Sequence, residues 1–165
     1  MNRIVVMGVS GCGKTTVGQG LSEAVGGRFV DADDLHTDAA RAQMRAGTPL
    51  TDEDRAPWLI RVGQTLAAAP LPVVVACSAL RRRYRDAIRA AAGGEVLFLH
   101  LAGPKEVIAG RMALRRDHYM PVSLLDSQFA ALEQPDADET FATLDLRGSE
   151  ADLIAAAIAA CRNPG

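Results

Sequence analysis

Eight consecutive residues, Gly8-Val9-Ser10-Gly11-Cys12-Gly13-Lys14-Thr15, satisfy the pattern G-x-x-x-x-G-K-[ST]. That spacing serves phosphate binding. Glycines let successive backbone N–H groups converge on phosphate oxygens, and a following helix N-terminus adds partial positive charge. Lys14 reaches the β- and γ-phosphates, the Thr15 hydroxyl ligates Mg²⁺, and Thr16 follows into the helix. The motif predicts a nucleotide site with ATP and Mg²⁺ as cofactors. Cys12 is read as a small loop residue, not a redox group. Asp31 and Asp33 lie two apart at the end of a strand pattern, where open α/β sheets bind ligands. Asp33 either accepts the proton of an attacking hydroxyl or orients that hydroxyl, and Asp31 holds Mg²⁺ through water. The alternative for both is a solvated acidic loop. Arg111, Arg115 and Arg116 stand at i, i+4 and i+5, so Arg111 and Arg115 share a helical face and can point at one anion. Their alternative is an exposed basic helix end that complements the helix dipole.

Elements must position these groups, and the apolar pattern supplies them. Ile4–Met7 is a short apolar run ended by Gly8, which suits a strand buried on both faces. Val17, Leu21, Ala24 and Val25 then recur at helical spacing until Gly26-Gly27. Phe29–Asp31, Val73–Cys77 and Val96–Leu101 read as strands, with a weaker one at Thr143–Leu146. Helices are predicted to open near Pro57, to follow through Tyr84, Ile88 and Ala91, and to run from Pro104 to about Arg115, from Val122 to about Glu133, and from Ser149 onward. Alternating strands and helices predict a parallel α/β sheet covered on both faces, as a single domain over residues 1–165. Two polar stretches interrupt the alternation, at about 33–57 and 115–121. Such loops in a compact domain are more often functional than idle.

Composition narrows the class. The chain has 165 residues, 48% of them hydrophobic, enough for a real core and against disorder. Its net charge of −2 offers no global basic field for nucleic acid or an anionic membrane. Only Lys14 and Lys105 are lysines, so a lysine kept inside a glycine-rich loop calls for a specific reason. No apolar run approaches the roughly 18–20 residues of a membrane span. The N-terminus enters a strand pattern at once, so no signal peptide is expected. Three scattered cysteines make no CxxC pair, which points to a reducing cytoplasm. No N-K-x-D guanine-reading sequence occurs, and the chain is short for a motor. The compact kinase plan remains: a core, an acceptor-binding insertion at about 33–57 and a lid at about 111–121.

The insertion carries Asp31-Ala32-Asp33-Asp34-Leu35-His36, then Gly47-Thr48-Pro49-Leu50-Thr51-Asp52-Glu53-Asp54-Arg55-Ala56-Pro57-Trp58. With Cys77-Ser78-Ala79-Leu80, the run Arg81–Asp86, and Gln128-Phe129 through Leu132-Glu133-Gln134-Pro135, these strings resemble the gluconokinase family over nearly the whole chain. Departures are small: Ala32 stands where the family often has Gly, Thr37 where it often has Pro, and arginines replace lysines after Leu80. The resemblance implies ATP- and Mg²⁺-dependent phosphorylation of D-gluconate at its 6-hydroxyl, strand order 2-3-1-4-5 and a homodimer. Gluconate needs a cation for its carboxylate and donors for its hydroxyls. Arg55 is the first choice for the carboxylate, its alternative being an ion pair with Asp52 or Asp54. One of Arg82, Arg83 and Tyr84 is expected to touch substrate, the rest of that run being a solvated helix face. His36 either bonds a substrate hydroxyl or braces the loop backbone, and Trp58 is core or pocket wall. Lid arginines would act on the transferring phosphate, with Arg115 catalytic and Arg111 on the nucleotide. The rivals are a shikimate- or nucleotide-type kinase sharing the core, and a nucleotide-binding module without transfer activity.

Overall fold

The computed structural model describes residues 2–114 and 122–164. Five strands, β1 (Arg3–Met7), β2 (Arg28–Asp31), β3 (Val73–Ala76), β4 (Leu97–Ala102) and β5 (Phe141–Asp145), form one parallel sheet in the order β2-β3-β1-β4-β5. The helices among the described residues are α1 (Lys14–Val25), α2 (Asp38–Arg45), α3 (Asp52–Ala68), α4 (Arg82–Ala92), α5 (Lys105–Ala113), α6 (Val122–Ala131) and α7 (Glu150–Arg162). None of them is long and apolar enough to cross a membrane.

The central strand β1 is sandwiched between β3 and β4, and Ile4, Val5, Val6 and Met7 are fully buried. An unbroken apolar run encodes it because both faces of the sheet are covered. On one face Ile4, Val6, Leu97, Leu99 and Leu101 pack on α1, α5 and α7 through Val17, Leu21, Ile108, Leu153 and Ala157. On the other, Val5, Met7, Val73, Val75 and Phe98 pack on α3 and α4 through Leu59, Val62, Leu66 and Ile88. Helices α3 and α4 approach closely at Gly63. A Cβ there would lie 2.5 Å from the Ala91 Cβ and 2.6 Å from the Ile88 carbonyl oxygen.

Two elements depart from the sequence reading. Residues 38–45 form helix α2, capped by the Thr37 hydroxyl, which accepts from the Ala40 N–H at 3.1 Å. The helix buries none of its residues, so it leaves no apolar period to read. Helix α3 opens at Asp52, five residues before Pro57. Thr51 and Asp54 close a reciprocal capping box, with bonds of 3.1 and 2.9 Å, that fixes the start there. Pro57 forgoes one helix bond inside α3. The insertion expected over 33–57 therefore holds a 3₁₀ turn at Ala32–Leu35, α2 and the first turns of α3.

Candidate active site

The phosphate loop leaves the C-terminal end of β1 and delivers its last two motif residues as the first residues of α1. Gly13 caps α1 at φ 92°, a left-handed conformation that side chains rarely adopt. The Gly8 N–H donates to the Ser78 carbonyl at 3.3 Å, tying the loop to the segment that follows β3. The Lys14 ammonium donates to the carbonyls of Gly8 at 3.0 Å and Val9 at 3.1 Å, so its charge sits within the arc of the loop.

Beside it, the Thr15 hydroxyl donates to an Asp31 carboxylate oxygen at 3.5 Å. The second Asp31 oxygen accepts from the Asp33 N–H at 2.9 Å and caps the 3₁₀ turn. A hydroxyl and a carboxylate side by side at a phosphate loop suit Mg²⁺, which binds through few protein oxygens, several waters and the phosphates themselves. The Asp33 carboxyl is raised above the ordinary range, by burial first and then by the neighbouring Asp31 charge, with His36 and Lys14 pulling the other way. Arg41 donates to the carbonyls of Asp33 and Asp34, and Arg61 to that of Leu35 at 2.8 Å, which fixes the turn that presents Asp33.

His36 stacks on Trp58 with centroids 4.3 Å apart and planes 10° apart. The Trp58 indole N–H donates to the Ala32 carbonyl at 2.7 Å, so Trp58 is the wall on which the turn rests. The Nδ1 of His36 is buried with no hydrogen-bond partner among the described residues. Burial lowers its imidazole, and the nearby guanidinium groups of Arg61, Arg41 and Arg55 add to this against the pull of Asp33.

Arg55 lies one helical turn before Trp58 on α3. It donates to the Tyr84 hydroxyl at 3.1 Å, and that hydroxyl donates to Asp52 at 2.6 Å. Arg83 also pairs with Asp52, and the Arg55 and Arg83 guanidinium carbons each lie 5.6 Å from the centre of the Tyr84 ring. Asp52 is held low, first by the Tyr84 hydroxyl, with Arg83 and Arg55 adding to it. The sequence reading treated Asp52 only as an alternative partner of Arg55; it is the carboxylate that draws Arg55, Arg83 and Tyr84 together. Arg82 does not join them. Its guanidinium grips Asp138 at 2.9 and 3.0 Å and Asp86 at 2.9 Å, while its N–H donates to Glu133. Those partners commit Arg82 to bracing the 133–139 segment against the start of α4.

Arg111 donates to the carbonyls of Leu146 and Gly148. It lines a cavity of about 300 Å³ with Cys12, Thr16, Gly148, Glu150 and Leu153, between the phosphate loop and the start of α7. The loop after β5 thus forms one wall. Arg115, Arg116 and the rest of 115–121 lie outside the described residues.

Comparison with known proteins places the chain in a family. Residues 4–135 match the family described as an AAA domain. A probable gluconokinase of Mus musculus is 40% identical over 96% of this chain and 97% of its own length. The gluconokinase of Gluconobacter oxydans (strain 621H) is 45% identical over 82% of this chain and 78% of its own. A crystal structure of a gluconokinase from Sinorhizobium meliloti 1021 superimposes with a TM-score of 0.90 at 43% identity, covering 99% of this chain and 93% of that one. Matched at this level along nearly its whole length, the chain belongs to the gluconokinase family.

Proposed function

We propose that this protein transfers the γ-phosphoryl group of ATP to the 6-hydroxyl of D-gluconate, giving 6-phospho-D-gluconate and ADP. The observation that carries the reading is the acidic turn beside the phosphate loop: Asp31 accepts from the Thr15 hydroxyl and from the Asp33 N–H, and Asp33 follows on the same turn. His36, at the end of that turn, stacks on Trp58, one helical turn beyond Arg55 on α3. This arrangement supports a carboxylate that works with a phosphate-binding ammonium and a cation suited to an acid substrate.

In this reading the phosphate loop from Gly8 to Thr16 and the Lys14 ammonium bind the triphosphate, through the loop amides other than those of Gly8 and Ser10. Thr15 and Asp31 would hold Mg²⁺, which supplies charge neutralisation on the phosphates. The substrate hydroxyl oxygen bonds to the γ-phosphorus as the bond to the β–γ bridging oxygen breaks. Its proton passes to Asp33, which orients the hydroxyl beforehand. Arg55 binds the gluconate carboxylate, and Arg83, Tyr84 and His36 meet its hydroxyls. Arg82 keeps its structural partners. Arg111 flanks the nucleoside cavity, and Arg115 is proposed, from its place in the sequence alone, to act on the transferring phosphate. A single domain and a cytoplasmic homodimer complete the proposal, to be checked by sedimentation for the assembly.

The test is ATP consumption with a panel of acceptors: gluconate, shikimate, nucleoside monophosphates and other sugar acids. Turnover with gluconate alone supports the reading. Turnover with shikimate or a nucleotide replaces it with a kinase of another acceptor, and ATP binding without turnover on any acceptor replaces it with a binding module.

A further inference from the structure

Ser10 and Gln128 are 118 residues apart and bond to each other twice. The Ser10 N–H donates to the Gln128 Oε1 at 2.5 Å, and the Gln128 Nε2 donates to the Ser10 Oγ at 2.7 Å. Ser10 is the third residue of the phosphate-loop motif. Its N–H is therefore turned onto α6, while Lys14 holds the carbonyls of the two residues before it. We propose that Gln128 is a positioning residue for the phosphate loop: its carboxamide pins the arc that aims the remaining amides at the β- and γ-phosphates.

The helix that delivers Gln128 is itself fixed. Leu125, one turn earlier, is 1% exposed and shares a core with Val9 and Ile108. Beyond the helix end, the Glu133 N–H donates to the Leu80 carbonyl at 2.8 Å. Gln128 thus reaches the loop from an element anchored at both ends. A primary carboxamide offers an acceptor and a donor from one rigid group, which is what the Ser10 N–H and hydroxyl require. Without it, a half-buried N–H of the loop loses its acceptor, and the loop must be ordered each time phosphate binds. That cost falls on the nucleotide and not on the acceptor.

The inference rests on the nucleotide reading and is tested by titrating ATP and ADP into the wild type, Gln128→Leu, Gln128→Asn, Ser10→Ala and Ser10→Ala/Gln128→Leu, with KM for gluconate measured alongside. Leu conserves volume and Asn conserves polarity but is one methylene too short. Both are expected to weaken ATP and ADP by about tenfold with KM for gluconate and Tm unchanged. Ser10→Ala keeps the N–H bond and should lose about threefold or less. The double variant should be no worse than Gln128→Leu, because Gln128→Leu has already broken the one contact that Ser10→Ala removes. Wild-type affinity in folded Gln128→Leu and Gln128→Asn overturns the proposal. So does an equal loss of ATP and gluconate, which marks a general structural role, or a double variant in which the single losses add. Wild-type protein that binds neither nucleotide overturns the nucleotide reading beneath it.

Discussion

Asp33 shows how a single side chain can have both stability and chemistry set by its surroundings. Its carboxyl is raised by burial and by Asp31, so ionisation is harder in the folded chain than in the unfolded one. The group therefore favours the fold at low pH and withdraws that stability as pH rises through its folded value. Asp33→Asn removes the charge at constant shape and should raise Tm at pH 7, though only slightly, because the residue is exposed and solvent screens the effect; thermal melts read it. Activity should move oppositely. Loss of the proton acceptor lowers kcat by roughly 10²–10⁴-fold, and a change confined to KM for gluconate would make Asp33 a binding residue instead. For the wild type, kcat/KM should fall as pH drops through a value above the ordinary Asp range of about 4. Lys14→Ala should abolish turnover with Tm unchanged, and near-normal kcat in the folded variant would refute the phosphate role. These residues were legible in the sequence because their chemistry is local: the loop is eight consecutive residues, and Asp31 and Asp33 share one turn. The fate of Arg82 was not, since Asp138 lies 56 residues away, and no spacing rule joins such a pair.

At the scale of elements, the same distinction holds. The three inner strands could be read because burial on two faces leaves continuous apolar runs such as Ile4–Met7, whereas the partly exposed edge strands β2 and β5 left only a short and a weak signal. Helix α2 was invisible because it has no buried face, and the start of α3 was misplaced because Pro57 was a stronger local signal than a capping box closed by Asp54. The packing of α3 on α4 was also beyond pattern reading, yet it brings together the groups proposed to bind the acceptor. Asp52 and Arg55 stand on the first turns of α3, Arg83 and Tyr84 on the first turn of α4, and Gly63 lets the two helices meet. Gly63→Ala gains about 1 kcal/mol of helix propensity. It also drives a Cβ against the Ile88 carbonyl and the Ala92 amide, backbone atoms that cannot swing aside. Overpacking of this kind costs about 1–3 kcal/mol and should win. The expected outcome is a lower Tm with KM for gluconate raised more than KM for ATP. Equal changes in the two constants would separate the helix pair from the acceptor site.

Across the whole molecule, one buried ion pair connects strand, helix and site. Glu139, just before β5, accepts from Arg85 of α4 at 2.7 and 3.2 Å and from Arg89 at 2.5 Å. Arg85 is fully buried, and its remaining nitrogen donates to the carbonyls of Ala79 and Leu80 at 2.9 and 3.2 Å. Those carbonyls belong to the segment between β3 and α4, where Ala79 holds φ 45° and the neighbouring Ser78 carbonyl accepts from Gly8 of the phosphate loop. Burial alone would raise the Glu139 carboxyl. The bonds from Arg85, the Asp136 N–H and Arg89 outweigh it and hold the group down at about 2. A depressed carboxyl stabilises the fold above its unfolded value, and that contribution drains away as pH falls from about 4.5 towards 2. Glu139→Gln keeps the shape and leaves Arg85 buried without its counter-charge, a change that costs about 3–5 kcal/mol at neutral pH. Exposed carboxylates titrate in the same window in both proteins, so the difference between the two isolates Glu139. Urea melts at pH 7, 5 and 3 should show a wide gap between wild type and variant at pH 7 and 5 that narrows at pH 3. A gap of constant width across the three would mean that the pair's charge does not carry the stability. In that case the hold on Ala79 and Leu80 must come from packing alone.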